Sequence, residues 1–136
     1  MGKKADRIKC IAYLSSTGSI SLAQRKEDGQ LIQIQRYARK HNLEIVDVVR
    51  RNGFGWQSVI KQFEDMAFNV GRNKTDVVLI VNSITLSTAI VDRFRLAGII
   101  QAGGGMLISL DEGEMTLPLF QKRNSAEVEY GKISKR

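Results

Sequence analysis

Cysteine, histidine, tryptophan and proline each occur only once in this sequence of 136 residues. Because Cys10 has no partner within the chain, an internal disulfide framework and a zinc cluster built from cysteines are both excluded. With His41 as the sole histidine, neither a histidine-based metal site nor a histidine-containing triad is expected. We therefore predict no metal ion and no cofactor, and we place Cys10 in the core and His41 at the surface or at a helix end.

Long apolar runs are also missing. No stretch approaches the roughly 20 residues that a membrane-spanning helix needs, and the N-terminal sequence MGKKADRIK lacks the apolar region of a signal peptide. The interpretation is a soluble, cytoplasmic protein with no membrane partner. A chain of this length holds one hydrophobic core but not two ordinary domains.

Acidic residues are too few to balance the basic ones: 21 Lys and Arg stand against 14 Asp and Glu, for a net charge of +7. This surplus suits a polyanionic partner such as nucleic acid, although a solvated basic surface explains it equally well. Part of it lies at the C-terminal end, where five Lys or Arg accompany two Glu from Lys122 onward. We predict weak, non-specific contact with DNA phosphates through Arg51, Lys122, Arg123, Lys132, Lys135 and Arg136.

What the sequence does contain is a regular alternation of strand and helix patterns. Apolar β-rich runs alternate with stretches whose apolar residues recur at helical spacing. The series predicts a three-layer α/β/α domain over residues 1–120, with a mostly parallel sheet of four or five strands. A mobile loop is expected after the first strand, and a basic tail over 121–136. The predicted strands are 8–14, 43–49, 77–81 and 106–110, with a short edge strand near 114–117. The first predicted helix is 27–41, and the second has Val59, Phe63, Met66, Ala67 and Val70 on one face. The third predicted helix is 88–101, with Val91, Phe94 and Gly98 along one side.

Several residues that resemble chemical signatures are better explained by structure. The glycine run 103–105 precedes a strand instead of opening a helix, which favours a helix stop and tight turn over a phosphate cradle. Asp76 lies at the amino end of its strand, the wrong end for catalysis in an open α/β sheet. Trp56 is expected to seal an edge of the core, although stacking on a base is the alternative.

Hydroxyl side chains follow two of the predicted strands, in YLSST (13–17) and ITLST (84–88). Ligands in such sheets bind at the carboxyl ends of the strands. We therefore expect Ser16 or Thr17, Gly55, Thr85 and Thr88 to meet on one rim. This prediction is purely topological.

Taken with the order of strands, YLSST resembles the catalytic domain of serine recombinases, the resolvase and invertase family. In that family the first strand ends in Tyr-x-Arg-x-Ser, and the serine attacks a DNA phosphate. The similarity runs from about residue 8 to residue 119. It includes Gln30, Tyr37 and Ala38 in QLIQIQRYARK, the NGFG turn, FEDM, and LISLDEGE. The resemblance implies a resolvase-like fold. Residues 121–136 are then either a basic tail or the stub of the family's interface helix.

The charged residues of the family's site are missing from this sequence. Tyr13 matches, but Ser15 replaces the arginine of the first strand, and Thr17 stands at the nucleophile position with Ser16 one place before it. Where the family has Asp-Arg-Leu-Ser-Arg, this chain has ITLST, so Ser87 persists while Thr85 and Thr88 replace both arginines. The predicted site is a degenerate nucleophile position at Ser16 and Thr17, with a rim of Tyr13, Ser15, Thr85, Ser87 and Thr88. Arg51 stands where the family has an acidic residue. The family also has an arginine at the start of the second helix, and the corresponding position in this chain falls near Ile60 or Lys61.

Phosphoryl transfer depends on positioning and on cations, and one well-placed arginine is worth about 10³ to 10⁵ in rate. The sequence therefore favours a catalytically degenerate domain that binds or regulates near DNA, as a dimer or tetramer or paired with an active recombinase. One alternative is an active recombinase domain that uses a Ser or Thr nucleophile, with Arg50, Arg51, Arg93 or Arg95 as substitute cations. A second alternative is a domain that binds a small ligand at the polar rim of the sheet.

Overall fold

The computed structural model describes residues 7–72 and 75–115. Within these ranges, strands and helices alternate as the sequence predicts, and a short 3-10 turn at Ser83–Thr85 follows the third strand. The elements are β1 (Ile8–Leu14), α1 (Ile20–Lys40), β2 (Leu43–Arg50), α2 (Trp56–Gly71), β3 (Val77–Ile80), α3 (Ile90–Ala102), β4 (Met106–Ser109) and β5 (Gly113–Met115).

The strands form one sheet in the order β2-β1-β3-β4-β5. The first four strands are parallel, and only β5 runs antiparallel to its neighbour β4. The predicted mostly parallel α/β sheet is thus confirmed. The chain passes from β1 to the edge strand β2 and then returns to β3 on the other side of β1. The order of strands therefore reverses between β1 and β3, which is where ligands bind in open α/β sheets.

Helices cover both faces of this sheet. On one face, Cys10 and Leu14 of β1 pack in a cluster with Ile34 of α1. On the other face, Ile11 packs in a cluster with Phe63 of α2 and with residues of α3. Because β1 and β3 are buried on both faces, their sequences are apolar at successive positions rather than at alternate ones. This arrangement gives the three layers.

Helix α1 begins at Ile20 and not near residue 27, so the loop after β1 is shorter than predicted. The side chain of Ser19 accepts a hydrogen bond from the Leu22 backbone amide and caps the helix. The helix pattern is hard to see in the sequence because the buried positions in this half are Ala23 and the polar Glu27.

Helix α3 also differs from its prediction. It begins at Ile90, and its buried side chains are Leu96, Ala97 and Ile100, whereas Val91 is 74% exposed. The glycine run does end the helix, as predicted. A Cβ atom on Gly103 would lie 2.5 Å from the Ala67 carbonyl oxygen, so the close approach of α3 to α2 requires glycine there.

Several smaller predictions can be compared with the structure. His41 follows α1 as its capping residue, and Trp56 opens α2 and packs half-buried against the core. Cys10 is fully buried, and burial raises the pKa of its thiol to about 11.

Strand β5 covers the first part of the predicted edge strand. Residues 116–117, the basic contacts from Lys122 to Arg136 and the predicted boundary at residue 120 lie outside the described residues. No helix in the described part of the chain is long and apolar enough to cross a membrane.

Candidate functional site

A cleft of about 450 Å³ opens at the carboxyl ends of β1 and β3, where the order of strands reverses. Its walls come from the loop after β1, the turn after β3 and the first turn of α2. It is lined by Ser15, Ser16, Thr17, Lys26, Gln30, Arg51, Trp56, Ile84, Thr85, Leu86, Ser87, Thr88 and Asp92.

The structure brings most of the predicted rim together. Every serine and threonine named for the rim or the nucleophile position lines the cleft. Gly55 lies just outside it, next to the lining residue Trp56. Tyr13 does not line it, because its ring is buried edge-on against Phe63, with ring centres 4.8 Å apart. Its hydroxyl donates to the side-chain oxygen of Gln62, and burial raises the pKa of Tyr13 above its usual range.

Ser15, at the position of the family's first arginine, is held rigidly. The side chain of Gln30 accepts a hydrogen bond from the Ser15 amide and donates one to the Ser15 carbonyl, both at 2.8 Å. The Ser15 hydroxyl donates to the Thr85 carbonyl at 2.7 Å. This bond ties the exit of β1 to the turn after β3, and it commits the hydroxyl proton to a structural contact.

The two candidate nucleophiles differ in exposure. Ser16 is 7% exposed and its hydroxyl donates to the Thr17 carbonyl at 3.3 Å, whereas Thr17 is exposed. Neither hydroxyl donates to a carboxylate, an imidazole or an amine within residues 7–72 and 75–115. A hydroxyl is a weak nucleophile without such a base.

Arg51 extends into this cleft from the turn after β2. Its backbone amide donates to the Leu14 carbonyl at 2.9 Å, which prolongs the pairing of β1 with β2. The Nη1 atom donates to the Ser15 hydroxyl at 3.2 Å and to the carbonyls of Thr85 and Leu86 at 3.3 and 3.4 Å. The Nε atom donates to the Phe54 carbonyl at 2.6 Å. The side chain named as a DNA contact is therefore 93% enclosed in the cleft wall and is not a surface group.

The other arginines named as substitute cations are engaged outside the cleft or do not line it. Arg50 pairs with Asp28 at 2.7 Å and approaches Glu27 at 3.8 Å. Arg93 donates to the Ser83 hydroxyl at 3.1 Å and to the Thr88 carbonyl at 3.4 Å. Arg95 is exposed and is not among the lining residues.

Lys26 is a cation of the cleft that sequence reasoning missed. It lies on α1 one turn before Gln30, so the two side chains share a helix face. The spacing of four residues between Lys26 and Gln30 is visible in the sequence, but the sequence pattern predicts a loop over Lys26 and therefore no shared helix face.

Two carboxylates hold the loops of the cleft in place, and neither was predicted. Glu112 accepts from the Ser83 amide at 2.8 Å and from the hydroxyls of Ser83 and Ser109 at 2.6 and 2.7 Å. Burial raises the pKa of Glu112, but these hydrogen bonds and the charge of Arg93 lower it further, so the pKa lies below its ordinary value. The effect is to anchor the 3-10 turn that carries Thr85.

The second carboxylate, Glu27, is buried under the turn after β2. It accepts a hydrogen bond from the Asn52 amide at 2.9 Å. Burial raises the pKa of Glu27, and the Asn52 amide and Arg50 oppose that rise. Next to Asn52, Gly53 has φ +80°, and a Cβ there would lie 2.8 Å from the Gly18 carbonyl oxygen. The turns after β1 and β2 are thus packed tightly against each other.

No protein-family model and no curated protein matches the sequence. Solved structures do match. A resolvase family site-specific recombinase from Streptococcus pneumoniae superposes with a TM-score of 0.69 at 20% identity, over 95% of this chain and 89% of that chain. The N-terminal catalytic domain of TP901-1 integrase gives a TM-score of 0.60 at 21% identity, over 94% and 99% of the two chains. The C-terminal catalytic domain of ISC1926 TnpA, an IS607-like serine recombinase, gives 0.55 at 18% identity, over 76% and 70%.

This chain has the fold of a serine recombinase catalytic domain. The resemblance inferred from YLSST and the strand order is confirmed at the level of the fold. At identities of 18–21% the similarity lies in the fold. Within the described ranges, no group of three or more His, Cys, Asp or Glu side chains is placed to hold a metal ion.

Proposed function

We propose that this recombinase-like domain is catalytically degenerate and acts by binding, close to DNA, through self-association or by pairing with an active recombinase. The observation that supports the proposal most strongly is the state of the cleft hydroxyls. The Ser15 hydroxyl donates to the Thr85 carbonyl, and the Ser16 hydroxyl donates to the Thr17 carbonyl. No described residue is placed to act as a general base for either hydroxyl.

The cations of the cleft point the same way. Arg51 uses Nε and Nη1 on three backbone carbonyls and one hydroxyl, all of them neutral acceptors of the protein itself. An arginine that stabilises a transition state has to offer its donors to the developing charge on the phosphate oxygens. One partly engaged arginine and one exposed lysine do not replace three or four such groups, whose loss costs about 10 kcal/mol or more of transition-state stabilisation.

A supercoiled-plasmid cleavage assay tests the proposal. The purified protein is incubated with plasmid and the topological forms are separated by gel electrophoresis. We expect no nicked or relaxed product above the buffer control. Ser21→Ala, at an exposed residue of α1, is the control variant. Cleavage that this control retains and that Thr17→Ala or Ser16→Ala abolishes would support the active-recombinase alternative instead.

A further inference from the structure

Within the part of the chain that the structure describes, Arg51 forms no salt bridge with a carboxylate, although its charge acts on the buried Glu27, which Arg50 also approaches at 3.8 Å. Arg51 as a residue is only 7% exposed, and each of its hydrogen-bond acceptors is a neutral oxygen. The Nη2 atom makes no hydrogen bond to a described residue. Burying an ion is costly unless an opposite charge compensates it. A cation held by its own backbone at the wall of an open cleft is arranged to receive an anion.

The rest of the cleft has the matching character. Its lining carries two cations, Lys26 and Arg51, against one carboxylate, Asp92. Asp92 is already engaged, because its Oδ2 accepts a hydrogen bond from the Ser87 hydroxyl at 3.1 Å. Thr17 and Thr88 add exposed hydroxyls that donate readily to an oxyanion.

The size and shape of the cleft limit the ligand. A volume of about 450 Å³ lies within the range of small-molecule sites and exceeds what a single inorganic ion fills. Trp56 lines the same space and is only half-buried, so part of its indole ring borders the cleft. Arg51 is enclosed at the wall, where a small group reaches it more easily than a rigid duplex.

We propose that the cleft is a binding site for a small phosphate ester, with Arg51 as the main cation and Lys26 as the second. Arg51 donates to the phosphate oxygens through Nη2, the one guanidinium nitrogen that no described residue engages, in a charge-assisted hydrogen bond. Arg51 follows β2 at a position where, by the resemblance, serine recombinases have an acidic residue. The site needs no reactive hydroxyl, so it goes beyond the proposed function and stands whether or not that function is correct.

Calorimetric titration with inorganic phosphate and with a nucleoside monophosphate tests the site, with potassium chloride at matched ionic strength as the blank. We expect saturable binding of both phosphate compounds and none of chloride. Arg51→Met should weaken binding about tenfold or more, since hydrogen bonds to charged groups contribute roughly 1.5–3 kcal/mol. Equal affinity of Arg51→Met and the wild type, or no binding by the wild type, overturns the proposal.

A second pair of variants keeps the test valid if Arg51→Met does not fold, as judged by circular dichroism. Lys26→Gln should weaken binding about threefold, because an exposed charge contributes less than about 1 kcal/mol. Its matched control is Arg25→Gln, the neighbouring exposed cation of α1 that does not line the cleft, and it should bind as the wild type does. If both variants weaken binding equally, the effect is general charge and the site is refuted.

A competition experiment separates the two possible sources of phosphate. A short random duplex is added to the nucleotide complex at equal total phosphate. A small-ester site predicts little displacement. Displacement as strong as that by the free nucleotide overturns the small-ester proposal, because it would make the DNA backbone the ligand.

Discussion

At the scale of single residues, the cleft depends on side chains that bond to the backbone of neighbouring loops. Gln30 is the clearest case, since its amide group satisfies both the Ser15 amide and the Ser15 carbonyl. Arg51 and Glu112 do the same for the turn after β3. These groups fix the positions of the loops that carry the cleft hydroxyls.

Removing the Gln30 side chain should therefore destabilise the domain. Gln30→Ala leaves the part-buried Ser15 amide without its acceptor, which costs about 1–3 kcal/mol. Gln33→Ala, an exposed residue of the same helix, is the matched control and should stay within about 0.5 kcal/mol of the wild type. Chemical denaturation measures both, and equal effects of the two variants would contradict this account of Gln30.

Glu112 predicts a dependence of stability on pH. Its folded-state pKa lies below the ordinary value of 4.5, so the ionised form is favoured by folding. That stabilisation is fully present above about pH 4.5 and is lost as the pH falls through the lower folded pKa. Glu112→Gln should be less stable than the wild type at pH 7, by about 0.5 kcal/mol for a partly exposed group, and the difference should shrink on acidification.

Denaturant unfolding at several pH values between neutral and acidic conditions measures this difference. A constant gap between Glu112→Gln and the wild type would mean that the charge of Glu112 contributes nothing and that only its shape matters.

The hydroxyl residues of the cleft were predictable because they follow strands that the sequence marks clearly. Ser16, Thr17, Thr85 and Thr88 meet since the ends of adjacent parallel strands share one edge of the sheet. The burial of Arg51 was not predictable. Whether an arginine after a strand points outward or into a cleft depends on acceptors from other loops, and a linear pattern does not contain them.

At the scale of elements, the predictions succeeded where one apolar face dominates and failed where the buried face is mixed. The β1 and β3 patterns are continuous apolar runs and were located correctly. The first half of α1 buries only Ala23 and Glu27, and it contains Gly29, a residue with low helix propensity. No apolar periodicity marks such a segment, so the sequence pattern predicts a loop where the structure has a helix.

Gly29 gives a test of α1 as a helix. It is exposed, and a Cβ built on it meets nothing within 4 Å. Gly29→Ala should therefore stabilise the domain by about 0.5–1 kcal/mol, because alanine has the higher helix propensity. Gly103→Ala is the contrasting variant and should destabilise it, since the new Cβ would lie 2.5 Å from the Ala67 carbonyl oxygen.

Thermal unfolding compares the two glycine variants with the wild type. Opposite signs are expected. If Gly29→Ala is as destabilising as Gly103→Ala, residue 29 does not lie in a regular helix.

Among the described residues, the edge strand β2 carries two features that discourage pairing with a further strand. Its pairing with β1 shifts register between Cys10 and Ile11, and the Asp47 carboxylate accepts from the Val48 amide at 2.8 Å. A bulge and a charge on an edge discourage pairing with another chain. Self-association, as proposed above, would therefore use a different surface from β2.

At the scale of the whole molecule, the +7 charge and the recombinase-like fold combine in one expectation about DNA. Phosphate contacts without base contacts give affinity that is weak, insensitive to sequence and steeply dependent on salt. Fluorescence anisotropy with two unrelated duplexes at two salt concentrations measures all three properties. A marked preference for one duplex at moderate salt would reveal an element that reads bases.

The basic segment from Lys122 to Arg136 is the proposed source of most of that affinity, on the basis of its composition. A protein shortened by residues 122–136 should bind both duplexes more weakly and with a smaller salt slope. Binding by the shortened protein that equals the full chain would assign the contact to the α/β domain instead.

The central claim is that a recombinase fold is kept here without the chemistry, and covalent capture on DNA tests it most directly. The full-length protein is incubated with supercoiled plasmid, denatured in detergent, and examined for protein that stays linked to DNA. We predict no linked protein at any time point, because no described residue serves Ser16 or Thr17 as a base. Positions 15, 85 and 88 also hold Ser, Thr and Thr where the recombinase resemblance expects arginine. A linkage that Thr17→Ala or Ser16→Ala abolishes would contradict the claim and make this domain a recombinase.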